Sequence, residues 1–200
     1  MLVYSILESL NHWDQQLFLL INKSWTNDFL ESFLPFWREK KNWIPLYVLM
    51  FFVAIYKHKK HAWWWILMFA ITVALADAIS SHVFKPWIDR IRPCQLGSGI
   101  EDVMQLRLPR CPGNRSFTSS HAANHFAMAF YIFFTSAISM KWSRWLFILW
   151  AAIISYAQIF VGVHYPGDIV GGMVLALLLA LLTSTIYLKY QNRIKNIKHE

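Results

Sequence analysis

Residues 62–84 read AWWWILMFAITVALADAISSHVF, and this stretch decides the fold. Asp77 is its only formally charged residue. A helix needs about 20 apolar residues to cross the hydrocarbon of a bilayer, and this run supplies them. Outward from it, 121–140, 145–163 and 169–188 have the same length and character, and 43–56 is a shorter run. Trp43 and Lys57 flank that shorter run, where one anchors at an interface and the other snorkels. The pattern predicts an all-α integral membrane bundle of about five transmembrane helices.

The composition excludes a soluble domain: 56% of residues are hydrophobic and 15% charged, and the apolar ones come in runs too long for one globular core. Trp43, Trp63, Trp64, Trp65, Trp142 and Trp145 cluster at segment ends, as interfacial aromatic belts do. The net charge of +8 raises the question of nucleic acid, but its placement argues against it. Lys57, Lys59 and Lys60 fall between the first two spans and Lys141 and Arg144 between the third and fourth; Lys189, Arg193, Lys195 and Lys198 follow the last. One side therefore collects the cations, and the positive-inside rule makes that side cytoplasmic.

The loops at 85–120 and 164–168 then face outward, into the periplasm if the chain lies in a bacterial inner membrane. The larger loop is basic (Arg90, Arg92, Arg107, Arg110, Arg115), which opposes the rule and points to an anionic ligand. Both cysteines, Cys94 and Cys111, lie in it, and an oxidising compartment favours a disulfide between them. Glu8, Asp14, Gln15 and Gln16 interrupt any signal-peptide core. Residues 1–42 read as amphipathic helices at the outer interface, with a sixth span over 16–37 disfavoured by Lys23, Asp28 and Glu31. Residues 43–190 form the bundle and 191–200 a basic cytoplasmic tail.

Polar residues recur where the spans begin and end. Lys85 and Arg92 stand at and beyond the end of the second span, one a compact cation and the other a fork matching two phosphate oxygens. Ser119-Ser120-His121 opens the third span, where a serine cap, free N–H groups and the helix dipole favour an anion. His164 ends the fourth span and Asp168 opens the fifth across a Pro166-Gly167 turn. A carboxylate on one imidazole nitrogen fixes the tautomer and sharpens the other nitrogen as base or nucleophile.

Lys85-x6-Arg92-Pro93, Ser119-Ser120-His121 and Gly162-Val163-His164-Tyr165-Pro166-Gly167-Asp168 together resemble the three motifs of the type 2 phosphatidic acid phosphatase (PAP2) superfamily, in order and over residues 43–188. The resemblance implies that His164 is the nucleophile, passing through a phosphohistidine, with Asp168 orienting it. It implies that His121 protonates the leaving oxygen, and that Lys85, Arg92, Ser119 and the N–H groups at 119–121 hold the phosphoryl oxygens. Neither metal nor cofactor is implied. The expected partners are membrane lipids and a lipid phosphate substrate: undecaprenyl diphosphate, a lipid A phosphate or a phospholipid phosphate.

Four positions depart from the pattern. Gln158 stands where the family has an arginine, Ala157 where it has a serine, Thr118 where it has a proline, and Ser120 where it has a glycine. Glutamine donates hydrogen bonds without charge, and charge-assisted bonds are roughly twice as strong, so one phosphate clamp is weakened. Arg115 is the expected compensator, followed by Arg90. A non-catalytic lipid-phosphate carrier and a bis-histidine haem protein using His82, His121, His125 or His164 are the competing classes. His125 and Asp77 read as buried polar contacts, and Gly171-Gly172 as a site of close helix packing.

Overall fold

The computed structural model describes residues 2–135 and 142–197. Among these residues every regular element is helical. In chain order they are α1 (Leu2–Leu19), α2 (Asp28–Trp37), α3 (Ile44–His58), α4 (Ala62–Ala78), α5 (Lys85–Ile88), α6 (Ser120–Thr135), α7 (Ser143–Phe160) and α8 (Pro166–Ile197). Three helical stretches, Lys40–Ile88, Ser143–Phe160 and Pro166–Ile194, are long and apolar enough to cross a membrane. The first folds back on itself at Lys59, whose positive φ of 49° breaks the run into α3 and α4. The protein is an all-α membrane bundle built from α3, α4, α6, α7 and α8.

Helix α6 is the axis of the bundle. Ala122, Ala123, Ala127 and Ala129 are fully buried, and these small side chains let α4, α7 and α8 approach it. At Gly172 of α8 a Cβ would stand 2.8 Å from the Ser119 carbonyl oxygen and 3.0 Å from the Ala123 nitrogen. The glycine pair expected to permit close packing thus sits where α8 crosses the start of α6. Surrounded by protein rather than lipid, α6 can carry Asn124 and His125 in a membrane. The predicted span over 121–140 is helical to Thr135, and 136–141, including Lys141, lies outside the described residues. Leu49, Phe52, Leu146, Leu149, Leu178 and Leu182 are exposed on the outer faces, as side chains in contact with lipid are.

The two ends of the bundle differ. At one end the Tyr187 hydroxyl of α8 lies 2.9 Å from Nδ1 of His58 in α3, so the basic α3–α4 turn and the basic end of α8 share a side. At the other end the 89–119 loop covers the starts of α6 and α8. The Cys94–Cys111 disulfide closes that loop, with Cα atoms 5.8 Å apart.

Helices α1 and α2 are knitted to this loop end. Asp14 pairs with Arg90 at 2.7 Å and Glu31 with Arg107 at 2.7 Å. The Asn22 amide donates to the carbonyls of Gln105 (2.8 Å) and Phe160 (2.9 Å) and accepts from the Gln105 N–H (2.7 Å), so one buried side chain joins the turn that follows α1, the loop and α7. Asn27 caps α2 through the Leu30 N–H, and Leu34 of α2 is buried with Ala157 and Phe160 of α7 and with Val161 just after it. The carbonyls of Phe36 and Trp37 accept from Asn42 Nδ2 and Trp43 Nε1, which closes the end of α2.

Candidate active site

The turn between α7 and α8 builds the centre of the site. Gly162 takes φ +93°, which a side chain would strain, and a Cβ there would also meet the Gln105 carbonyl at 2.7 Å. The chain then presents His164 and Asp168, both almost fully buried. His164 Nδ1 lies 3.3 Å from Asp168 Oδ2, and the same oxygen accepts from Ser116 Oγ (2.5 Å) and the Tyr165 N–H (2.8 Å). Asp168 Oδ1 accepts from Arg90 at 3.0 Å. Four donors on one carboxylate fix its position.

On the other side of the imidazole, Nε2 lies 2.9 Å from Nη1 of Arg92. A guanidinium only donates, so Nε2 must be the nitrogen with the lone pair and Nδ1–H faces the carboxylate. Arg92 is held in turn by the carbonyls of Val163 (2.7 Å) and Asn114 (2.7 Å) and by Asn114 Oδ1 (2.7 Å). Burial pushes His164 down to about 4, helped by Arg92 and Lys85 and opposed by Asp168. The imidazole is therefore neutral at physiological pH. Burial likewise pushes Arg92 down to about 10; Asp168 acts against this and Arg38 adds to it.

Lys85 is buried and donates to Ser120 Oγ at 2.9 Å, with Ser80 and Ser81 within 3.1 Å of the same hydroxyl. Ser120 thus occupies the expected glycine position by anchoring the lysine. Ser119 immediately precedes α6, and its N–H, expected to hold a phosphoryl oxygen, instead donates to the Asp168 carbonyl at 3.1 Å, tying two parts of the site together. His121 is half-buried, stacked on His125 with ring centroids 6.2 Å apart, and within electrostatic reach of His164 and Arg38. The two nitrogens of His125 face the His121 carbonyl (2.8 Å) and the Tyr47 hydroxyl (3.3 Å), which leaves neither for a haem iron. Asp77 accepts from Asn124 at 2.8 Å.

The cations of this end fall into two groups. Arg90 pairs with Asp14 and Asp168, Arg107 with Glu31, and Arg115 with Asp89. Against the cost of burial, Asp168 and Asp14 hold Arg90 above its ordinary value. Among the described residues Lys85, Arg92 and Arg38 have no carboxylate within ion-pair distance. The expectation that Arg115 replaces the charge missing at Gln158 is not met: Asp89 neutralises it in a partly exposed pair. Arg38 is the cation at Gln158, with Nη2 3.2 Å from Oε1. Sequence reasoning missed Arg38, Ser116 and Asn114. Nothing in the local sequence marks a cation just after an amphipathic helix as part of a site 120 positions away.

Two buried cations, Lys85 and Arg92, and the half-buried Arg38, none with a carboxylate at ion-pair distance among the described residues, accompany a neutral, carboxylate-oriented imidazole, an arrangement suited to a phosphate ester. The profile of the PAP2 superfamily matches residues 62–192, and the chain belongs to that family. It is 30% identical over 171 residues to the lipid A 4'-phosphatase of Bacteroides thetaiotaomicron, covering 85% of this chain and 75% of the relative. It is 28% identical over 182 residues to that of Porphyromonas gingivalis, covering 90% and 75%. In fold it resembles crystal structures of Aquifex aeolicus LpxE (TM-score 0.64, 23% identity, 84% of this chain and 93% of that one) and of the PAP2 type phosphatidylglycerolphosphate phosphatase of Bacillus subtilis (TM-score 0.62, 20% identity, 94% of each).

Proposed function

We propose that this protein removes a phosphate monoester from a lipid A-type glycolipid through a phosphohistidine, at the outer leaflet of a bacterial inner membrane. The observation that carries the reading is the imidazole of His164, with Nδ1–H toward Asp168 and the Nε2 lone pair toward Arg92. The two relatives named as lipid A 4'-phosphatases support the substrate class. The basic α3–α4 turn and α8 end support an outward-facing site by the positive-inside rule.

Nε2 of His164 attacks phosphorus as the bond to the lipid oxygen breaks. The departing alkoxide takes a proton from His121. Arg92 and Lys85 hold the equatorial oxygens as charge shifts among them, and Asp168 stabilises the imidazolium that forms. Water then attacks the phosphorus with His121 as base, the P–N bond breaks, and neutral His164 returns with inorganic phosphate released. A groove of 610 Å³ runs between α3, α4 and α6, apolar along Met50, Phe51, Phe69 and Met128 and reaching Lys40 and Lys41. It suits an acyl chain whose headgroup lies at the loop end.

The test is phosphate release in detergent with EDTA present, from lipid A, phosphatidylglycerol phosphate and undecaprenyl diphosphate, with His164→Ala alongside. Release from lipid A that His164→Ala abolishes is expected. Binding without release from any lipid would make the protein a carrier, and release lost with EDTA would make it a metalloenzyme.

A further inference from the structure

We infer that Arg38, carried past the end of α2, is a phosphate-contacting cation of this site and supplies the charge that Gln158 lacks. This rests on the phosphatase reading above. Arg38 lies outside residues 62–192, the part of the chain that matches the family.

The geometry is that of a donor set awaiting an anion. Gln158 is fully buried and its Oε1 accepts from Arg38 Nη2 at 3.2 Å, which fixes the guanidinium. Gln158 Nε2 and Arg38 Nε are both buried and both lack a hydrogen-bond partner. A buried donor left unpaired is costly, and an oxyanion with several oxygens can satisfy more than one donor of a contact pair. Arg38 has no carboxylate within ion-pair distance among the described residues, in contrast to Arg90, Arg107 and Arg115. Its charge is felt at Arg92 and at the His121 ring, so the three belong to one electrostatic cluster.

The local fold explains how α2 delivers it. Leu34, one turn before Arg38, seats α2 against Ala157 and Phe160 of α7, and Glu31 of the same helix pairs with Arg107. The Arg38 N–H continues the helix by donating to the Leu34 carbonyl at 3.1 Å, so the side chain leaves from an ordered backbone. Gln158 is then the orienting half of a two-residue clamp. A cation from the N-terminal segment and an amide from α7 do what one guanidinium would do.

The probe is orthovanadate, a phosphate-shaped oxyanion, titrated calorimetrically against the full chain in detergent, beside phosphate release. Arg38→Gln retains donors for Gln158 Oε1 and loses the charge. We expect it to weaken vanadate at least tenfold and to lower kcat by about 100-fold, the scale of one removed oxyanion donor. We expect its melting temperature to stay within two degrees or so of the parent, in the range of a minor surface change. Arg38→Gln combined with Gln158→Arg should regain vanadate affinity, which restored packing alone would not give. Vanadate affinity within threefold of the parent in Arg38→Gln, or no recovery in the folded double variant, overturns the assignment. If the parent chain releases no phosphate from any lipid, the phosphatase reading falls, and the vanadate titration still decides Arg38.

Discussion

Nη1 of Arg92 lies 2.9 Å from Nε2 of His164, on the opposite side of the ring from the Asp168 carboxylate. A cation placed there does two things. It adds to burial in keeping the imidazole neutral, and in the proposed mechanism it stands beside the oxygens of the incoming phosphoryl group. The fork geometry follows from the Asn114 and Val163 contacts, so charge alone does not reproduce it.

Arg92→Lys therefore tests the fork. Lysine keeps a point charge but loses the bonds to the Asn114 carbonyl and side chain. We expect kcat for phosphate release to fall about 100-fold, as for loss of one transition-state donor. Steady-state kinetics in detergent read this directly, and a kcat within threefold of the parent would show that Arg92 touches no reacting oxygen.

The pH dependence follows from His164. Its folded value is near 4, below the ordinary 6.5, with burial the main cause and Arg92 the next. In the proposed mechanism only neutral His164 attacks phosphorus, so activity is expected to be lost as pH falls through about 4 rather than through 6.5. The sign for stability is the same. The unfolded chain binds the proton more readily, so the contribution present above 6.5 is lost as pH falls toward 4. Carbon-13 or nitrogen-15 labelling of the His164 imidazole checks the titration, and a midpoint at 6 or above would rule out a buried, Arg92-facing ring.

Gly172→Ala should injure the site through the backbone. The new Cβ would stand 2.8 Å from the Ser119 carbonyl oxygen, with the Ala123 nitrogen at 3.0 Å beyond it. Neither is a flexible side chain, so α8 must move from α6, at a cost of roughly 1–3 kcal/mol for overpacking. Gly113→Ala is the control, because its Cβ meets nothing within 4 Å. Thermal melts of both, with kcat at a temperature where both are folded, separate a general loss from a local one.

Reducing the Cys94–Cys111 bond, or replacing both residues with serine, frees a loop with a sequence separation of 17. Chain-entropy arguments put the loss of stability at about 3 kcal/mol. Asn114 and Ser116, which hold Arg92 and Asp168, follow shortly after Cys111. Activity measured with and without reductant should fall together with the melting temperature. An unchanged melt would show that the N-terminal contacts alone hold the loop.

What could be read from the sequence was what depends on local pattern. Runs such as 62–84 define membrane spans because hydrocarbon accepts little else. Lys85, Arg92, Ser119, His121, His164 and Asp168 stood out because they sit at span ends in a recognisable order. Where the lysines and arginines gather gives the expected side of the membrane. Residues 1–42 read as amphipathic but gave no sign of what they touch, since amphipathicity reports a face and not a partner.

The tertiary structure alone decided which cations remain unneutralised. Arg115 and Arg38 are equivalent as letters, each a lone arginine beside a helix end. Asp89 happens to meet one, while the other is carried over α7 to a buried glutamine. Ion pairing depends on separations of a few ångströms between segments far apart in the chain, and no local pattern records them. The sequence marked Gln158 as an uncharged gap in the site. The packing of α2 on α7 filled that gap with a cation from the other end of the chain.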